Sequence, residues 1–213
     1  MNEVFENNTA VTSLRNFYVK YQKLIIGILI LLTFVITAYL VNLQLEKNKN
    51  EQAAEIYNKW ISQEITTEEG KNTSNEIFQE LTNSYSSSGY SMIALLNKAT
   101  LEAKVGNLDI SYEKFNQLKE ISDGFGGNKL FNKIARINLA RILYAKEEFD
   151  KALGVLDIYT ESTDALIHEL IGDILSKQDK QNLAIEQYDL AKQKYTSEAS
   201  ISIVSMKISN LAI

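Results

Sequence analysis

An uncharged run of 22 residues, from Leu24 to Leu45, constrains this chain more than any other feature of its sequence. At about 1.5 Å per residue, a helix of this length crosses a hydrocarbon core of roughly 30 Å. Between Leu24 and Leu43, 14 residues are Leu, Ile, Val or Phe, and each of them favours insertion by roughly 0.3 to 0.6 kcal/mol. The run therefore predicts a single transmembrane helix over residues 24–43.

Two other interpretations of this run are a cleaved signal peptide and the core helix of a soluble domain. The apolar part of a signal peptide is shorter, about 7–15 residues, and it ends at a small-x-small cleavage site. The sequence Ala38-Tyr39-Leu40 does not provide that site. The sequence therefore favours an anchor that is retained in the mature protein.

The basic residues around the run favour an N-terminus on the cytoplasmic side, because those before it lie slightly closer to the bilayer than those after it. These residues are Arg15, Lys20 and Lys23 before the run, and Lys47, Lys49 and Lys59 after it. We expect a cytosolic tail over 1–23, the span over 24–43 and one folded domain over 44–213. The opposite orientation places the folded domain in the cytosol, and it changes the membrane topology but not the predicted fold.

Apolar side chains recur at helical spacing just before the span, at Val11, Leu14, Tyr18 and Tyr21. This spacing predicts a short amphipathic helix over residues 10–23. Such a helix either lies on the membrane surface or docks a partner, or it simply enters the bilayer. We favour the last of these interpretations.

The composition excludes several kinds of chemistry. Without cysteine there is no disulfide, thiolate metal site or cysteine nucleophile, and the single His168 leaves no pair for a histidine-based metal site. A net charge of −5 and the lack of a basic cluster argue against nucleic acid as a partner. The chain has no proline and only nine glycines, fewer of each than average composition would give, and this favours long helices over sandwiches and barrels.

After the span, the sequence predicts an all-α domain of short helices joined by breaks of a few residues. A charged helix is expected to continue out of the membrane, and Thr66 to Thr73 is expected to form a loop. The predicted helices are Leu45 to Ile65, Ser74 to Tyr85, Tyr90 to Val105, Leu108 to Ile121, Asn128 to Lys146, Phe149 to Tyr159, Ala165 to Ser176, Gln181 to Tyr195 and Glu198 to Ala212.

Small residues mark a repeat within these helices. They lie at Ala99, Ala140 and Gly172, and again twelve residues later at Ser111, Ala152 and Ala184; four residues further on come Phe115, Leu156 and Tyr188. Successive repeats are 41 and 32 residues apart, and the longer interval contains the seven turn-forming residues 122–128. Removing them leaves 34, the tetratricopeptide period of about 34 residues. We predict three stacked helical hairpins, preceded by a less regular pair and closed by a C-terminal helix.

Stacked hairpins form a solenoid with an extended groove, which suits binding of peptide segments or partner helices better than catalysis. Residues with catalytic potential have simpler explanations here. The glycines of 124–127 lack the strand and the Gly-Lys-Ser/Thr of a phosphate-binding loop, and His168 has no second histidine. The adjacent pairs Glu68-Glu69 and Glu147-Glu148 point in different directions. We therefore predict no enzyme activity, no cofactor and no metal site.

Three further side chains have both a structural and a functional interpretation. Arg136 and Arg141 are the arginines that follow residue 15, and both lie on one predicted helix. They either form salt bridges, for example to Glu169 or Asp173, or Arg141 points into the groove and binds a partner carboxylate. Trp60, the single tryptophan, is either part of the core or an anchor for a partner.

The layout of tail, span and repeats resembles the ancillary SecYEG translocon subunit family, the YfgM-like proteins. The segments that carry the resemblance are residues 10–20 before the span, Arg136-Ile-Asn-Leu-Ala-Arg-Ile142 and Phe149–Asp157 in the middle, and Glu169–Asp173, Ser176–Lys180 and Met206-Lys-Ile-Ser-Asn-Leu-Ala-Ile213 at the end. The sequence departs from the family in lacking proline and in its irregular region 66–88.

The resemblance implies a non-enzymatic protein of the bacterial inner membrane whose C-terminal domain faces the periplasm. Its implied partners are the SecYEG translocon, the membrane-anchored chaperone PpiD and translocated client proteins that are handed on to periplasmic chaperones. Since the first helix of each pair faces inward in this family, the expected partner-binding residues are Ile137, Arg141, Tyr144, Glu169, Asp173 and Lys177.

Two other classes of function are compatible with the sequence. The first is a membrane-anchored scaffold for an envelope-assembly or cell-division complex, which would use the same repeats to recruit folded partners. The second is an enzyme with an acidic site, which requires at least two carboxylates to converge in a deep pocket.

Overall fold

The computed structural model describes residues 3–124, 126–159 and 161–211, and it describes side chains in these ranges from Thr12 onward. In this part of the chain all regular structure is helical, as the sequence predicts. The helices are α1 (Glu3–Ser62), α2 (Glu68–Ser84), α3 (Gly89–Lys104), α4 (Leu108–Ile121), α5 (Lys129–Ala145), α6 (Phe149–Leu156), α7 (Ala165–Lys177), α8 (Gln181–Lys194) and α9 (Glu198–Leu211), with one 3-10 turn at Asp157–Tyr159.

The chain divides into two compact units, one ending at Gln52 and the other beginning at Ala53. The first unit consists of most of α1, which is long and apolar enough to cross a membrane. None of its most apolar stretch is buried inside the protein. A core helix of a soluble domain would be largely buried, so the structure excludes that interpretation of the run.

The predicted short helix over residues 10–23 is not a separate element, because α1 continues through it without a break. Two threonines in the apolar run satisfy their hydroxyls within the helix: Thr33 donates to the carbonyl of Leu29, and Thr37 to that of Thr33, each at 2.8 Å. Bonds of this kind leave no unpaired hydroxyl donor at those two positions.

The second unit consists of stacked antiparallel hairpins. Helix α3 packs on α4, α5 on α6, and α7 on α8, while α4–α5 and α6–α7 contacts join successive hairpins. The end of α1 and helix α2 precede the hairpins and share a core with them through Ala53, Ile56 and Phe78. Helix α9 packs on α8 and buries Val204 in a second, C-terminal part of the core. The predicted solenoid is confirmed.

The small residues lie at the close approaches within each hairpin. All six are buried, as are Phe115, Leu156 and Tyr188. The Ser111 hydroxyl donates to the carbonyl of Ala99 at 2.8 Å, which joins α4 to α3. A Cβ atom on Gly172 would lie 2.6 Å from the ring of Tyr188, so only glycine fits between α7 and α8 at this point.

Helix α2 begins earlier than the sequence analysis predicts. Residues 66–73 were expected to form a loop, but α2 begins at Glu68 because the Thr67 side chain accepts a hydrogen bond from the Gly70 amide at 3.0 Å. Glu68 and Glu69 then lie in the first turn, where carboxylates interact favourably with the helix dipole.

The other helix ends differ from the prediction by a few residues. The largest of these differences are at α1, which ends at Ser62 rather than Ile65, and at α6, which ends at Leu156 and continues to Tyr159 only as a 3-10 turn. The predicted end of the last helix at Ala212 lies outside the described residues. Phe125 of the glycine-rich segment also lies outside them.

Candidate functional site

The first helix of each hairpin places the predicted partner-binding residues in two adjacent groups. Helix α5 carries Ile137, Arg141 and Tyr144, and α7 carries Glu169 and Asp173. The two groups are adjacent because α5 and α7 contact each other directly. Ile137 does not reach the surface, because its side chain is buried in the C-terminal part of the core. Arg141 is exposed and Tyr144 is half-buried with its ring 5.9 Å from that of Phe149.

The α7 carboxylates bind a lysine from the last helix instead of facing a free groove. The ammonium of Lys207 donates to Glu169 at 2.7 Å and to both oxygens of Asp173 at 2.6 and 2.8 Å. The hydroxyl of Tyr188 donates to Asp173 at 2.8 Å, and that of Tyr195 donates to Glu169 at 2.5 Å. We call these five residues the Lys207 cluster.

Burial and hydrogen bonding set the protonation of the Lys207 cluster. Burial alone would raise the pKa of Glu169, but hydrogen bonds from Lys207 and Tyr195 hold it below its ordinary value. Burial likewise disfavours the charged lysine, yet the bonds to Asp173 and Glu169 raise the pKa of Lys207. Desolvation, followed by the hydrogen bond to Asp173, raises the pKa of Tyr188.

A closed cluster of this kind is structural. The hydrogen bonds from Lys207 and Tyr195 favour the ionised form of Glu169, so this carboxylate is not poised to act as a general acid at neutral pH. The positive charge of Arg141 helps to lower the pKa of Glu169, but Arg141 forms no ion pair with any described residue. Lys177, at the end of α7, is exposed. Arg141, Tyr144 and Lys177 are therefore the predicted residues that remain accessible to a partner.

His168 and Arg136, which were also weighed in the sequence analysis, have structural partners. His168 is 1% exposed, and its ring nitrogens pair with the Gln187 side chain at 2.8 Å and the Ser162 carbonyl at 2.9 Å. Arg136 does form an ion pair, but with Asp123 at 3.3 Å rather than with α7. Among the described residues no group of His, Asp and Glu has the arrangement of a metal site.

A cavity lies at the N-terminal end of the second unit, around Trp60, which the sequence analysis weighed as either a core residue or an anchor for a partner. Its volume is about 840 Å³. It lies between the end of α1, the first half of α2 and the second half of α3. Its lining residues are Trp60, Ile61, Gln63, Ile65, Lys71, Ser74, Asn75, Leu96, Asn97, Lys98, Thr100, Leu101 and Lys104. We call it the Trp60 cavity.

The repeat spacing contained a signal for this cavity. Adding the 41-residue interval to Leu96 and Thr100 gives 137 and 141, and adding the further 32 residues gives 169 and 173. The cavity thus uses, in the first hairpin, the same helix positions that were predicted to bind partners in the second and third. In the first hairpin these positions stay open, whereas in the third they are closed by Lys207.

The stacked hairpins contain an open cavity, and reactive groups do not converge among the described residues. The hairpins define a helical-repeat domain that serves as a scaffold for protein–protein interaction. The model of the tetratricopeptide repeat-like domain family matches residues 15–213, and the chain belongs to this family. Domains with this fold typically bind other proteins rather than catalyse reactions. No curated protein matches the chain.

Proposed function

We propose that this chain is a non-enzymatic accessory protein of the SecYEG translocon in the bacterial inner membrane. In this proposal residues 1–23 lie in the cytoplasm, residues 24–43 span the membrane and residues 44–213 form a periplasmic domain. The domain binds proteins as they emerge from the channel and, together with PpiD, passes them to periplasmic chaperones.

The observation that carries the proposal is the extent of the family match. The match begins at residue 15, before the span, and runs to residue 213. A match that includes the apolar run together with the repeats supports an anchor that is part of the functional molecule rather than a leader that is removed.

Tethering supplies what a weak binding surface needs. A domain held at the membrane beside the channel meets an emerging chain at an effective concentration in the millimolar range when the connection is short. Hand-over requires that each contact also dissociates quickly. The accessible residues Arg141, Tyr144 and Lys177 are separate polar and aromatic groups rather than one large apolar patch, which suits brief contacts.

A photo-crosslinking amino acid at position 141 or 177 of the full-length protein tests the proposal in intact cells. We expect crosslinks to SecYEG, to PpiD and to a secreted protein arrested during translocation. The same amino acid at Lys192, which is exposed on α8, serves as the matched control and should give few of these products. Crosslinks to folded envelope-assembly or division proteins, without any translocon component, would contradict the proposal and favour the scaffold.

A further inference from the structure

We propose that the Trp60 cavity binds a segment of a partner protein in which an apolar side chain lies next to a carboxylate, as in a leucine or phenylalanine followed by aspartate or glutamate. This inference rests on the proposed function only in taking the domain to bind other polypeptides. It assigns that binding to a place in the fold and a chemistry that the proposed function does not specify.

The apolar part of the cavity is preformed. The ring of Trp60 contacts that of Tyr57 at 5.9 Å and that of Phe78, which is buried, at 5.5 Å between centroids, so neighbouring aromatic rings hold the indole in place. At the rim Ile61 and Leu101 are each 57% exposed. A rigid apolar surface with exposed aliphatic side chains gains free energy when an apolar side chain covers it.

The charges of the lining have one sign. Three lysines line the cavity and no aspartate or glutamate does, although the chain carries a net charge of −5. Lys71 pairs with Glu68 at 2.6 Å and Lys98 with Glu102 at 3.1 Å, and neither of those carboxylates lines the cavity. Lys104 has no ion pair with any described residue. A carboxylate of the ligand would complement this lining.

The neutral polar residues of the lining favour a polypeptide over an anionic lipid. Gln63, Asn75 and Asn97 each contribute an amide, which can both donate a hydrogen bond to a backbone carbonyl and accept one from a backbone N–H. The ester and phosphate oxygens of a phospholipid can accept a hydrogen bond, but its hydrocarbon tails offer no N–H donor for the amide oxygens. A volume of about 840 Å³ also falls within the range of about 300–1,000 Å³ that is usual for binding sites, and it has room for several side chains.

Trp60 makes the inference directly testable, because it is the single tryptophan of the chain and it lines the cavity. The experiment titrates the full-length protein, in a mild non-ionic detergent, with a short tryptophan-free peptide that combines leucine and phenylalanine with aspartate and glutamate. We expect a saturable shift of Trp60 emission to shorter wavelength as its surroundings lose water. Peptides with lysine for every acid, or serine for every apolar residue, should give no saturable shift.

Two pairs of variants locate the binding. Lys104→Glu should weaken binding by about three- to tenfold, as expected for reversal of a partly exposed charge, whereas Lys192→Glu makes the same charge change on α8 and should leave it unchanged. Leu101→Ser should also weaken binding. Its control, Leu183→Ser, alters a leucine on α8 that is 50% exposed and should have no effect.

Three results would overturn the inference: the lysine peptide binds as well as the acidic one, both members of a variant pair lose binding equally, or the acidic peptide gives no saturable response. So would an emission shift with short-chain anionic phospholipid in the absence of any shift with peptide, since the ligand would then be a lipid. Crosslinking at positions 141 and 177 is independent of this cavity. Its failure would reject the translocon assignment, whereas failure of the titration alone would reject only the ligand assigned to the cavity.

Discussion

At the scale of single residues, the contact between Gly172 and Tyr188 sets how closely α7 approaches α8. The Tyr188 ring is buried and is fixed by its hydrogen bond to Asp173, so it has little freedom to move aside. Gly172→Ala would place a methyl group 2.6 Å from this ring. We expect a loss of about 1–3 kcal/mol in the free energy of unfolding, the usual cost of overpacking a core, measured by denaturant titration of the circular dichroism signal.

Gly154→Ala is the control for this substitution. Gly154 lies inside α6, and a Cβ atom there would meet nothing within 4 Å. Alanine is the better helix former by about 1 kcal/mol, so this variant should be as stable as the unaltered chain or slightly more stable. Similar losses in both variants would show that the tyrosine contact is not the cause.

Lys207 makes the stability of the domain depend on pH. In Lys207→Met, Glu169 and Asp173 stay partly buried without their cation, and we expect a loss of about 1–2 kcal/mol at pH 7, since partial exposure limits the penalty. The pKa of Glu169 lies below its ordinary value of 4.5 in the folded chain. The stabilisation is therefore complete above that ordinary value and is lost as the pH falls through the lower, folded value.

Denaturant titrations of the unaltered chain and of Lys207→Met at a series of pH values measure this effect. The difference in stability between the two proteins should be constant from pH 7 down to about 5 and should shrink below that, since the ordinary Glu pKa is about 4.3 to 4.5. A difference that is the same at pH 7 and pH 3 would contradict the ionic account and would indicate lost packing instead.

The two residue-scale contacts differ in how well the sequence predicts them. Glycine at 172 is predictable, because it recurs in register with Ala99 and Ala140 and lies twelve residues before Ala184. The bonds from Lys207 are not, because they join residues 34 and 38 positions apart and depend on how α9 packs. Periodicity locates residues that every repeat needs, whereas a contact made by one end helix leaves no periodic pattern.

At the scale of elements, the start of α2 shows that a local capping signal can be correct where the polar composition of the segment predicts a loop. The sequence Glu68-Glu69-Gly70-Lys71 has the polarity and the glycine of a loop. However, a threonine before two glutamates is also a typical helix start, and the structure has α2 begin there. The buried Gly70 is needed because a Cβ atom at this position would lie 2.1 Å from the Glu64 carbonyl oxygen.

Thr67→Ala tests the role of this cap. Loss of the hydroxyl that accepts from the Gly70 amide should cost about 1 kcal/mol and fray the first turn of α2. Hydrogen exchange of the Gly70 amide should become about five times faster, which corresponds to that free energy. Thr66→Ala is the control, since Thr66 is exposed and precedes the cap. Equal acceleration in both variants would contradict the capping role.

At the scale of the whole molecule, the fold is more predictable than the location of the binding surface. Helix periodicity and the repeat of small residues suffice for the stacking order. Whether a given groove is open depends on what covers it: α9 closes the third hairpin through Lys207, while the short segment after Trp60 leaves the first one open. The sequence analysis selected positions in the second and third hairpins but did not extend the repeat to Leu96 and Thr100, which line the Trp60 cavity.

The proposed topology makes a last prediction, for which the lack of cysteine in the chain is an advantage. A single cysteine at Lys129, which is exposed at the start of α5, should react in intact spheroplasts with a maleimide that cannot cross the membrane. Ser122, in the neighbouring glycine-rich segment, is unsuitable because it is buried and its hydroxyl donates to the Leu118 carbonyl at 2.6 Å.

A cysteine at Ser13, exposed on α1 before the apolar run, reports on the other side of the membrane. It should react with the same reagent only after the membrane is permeabilised, because the proposed topology places this end, with its three basic residues, in the cytoplasm. The reverse pattern would place the repeats in the cytosol and would remove SecYEG hand-over as a function. Labelling at Lys129 in protein released from the membrane would instead show that the apolar run is cleaved, since a retained anchor keeps the whole chain in the membrane fraction.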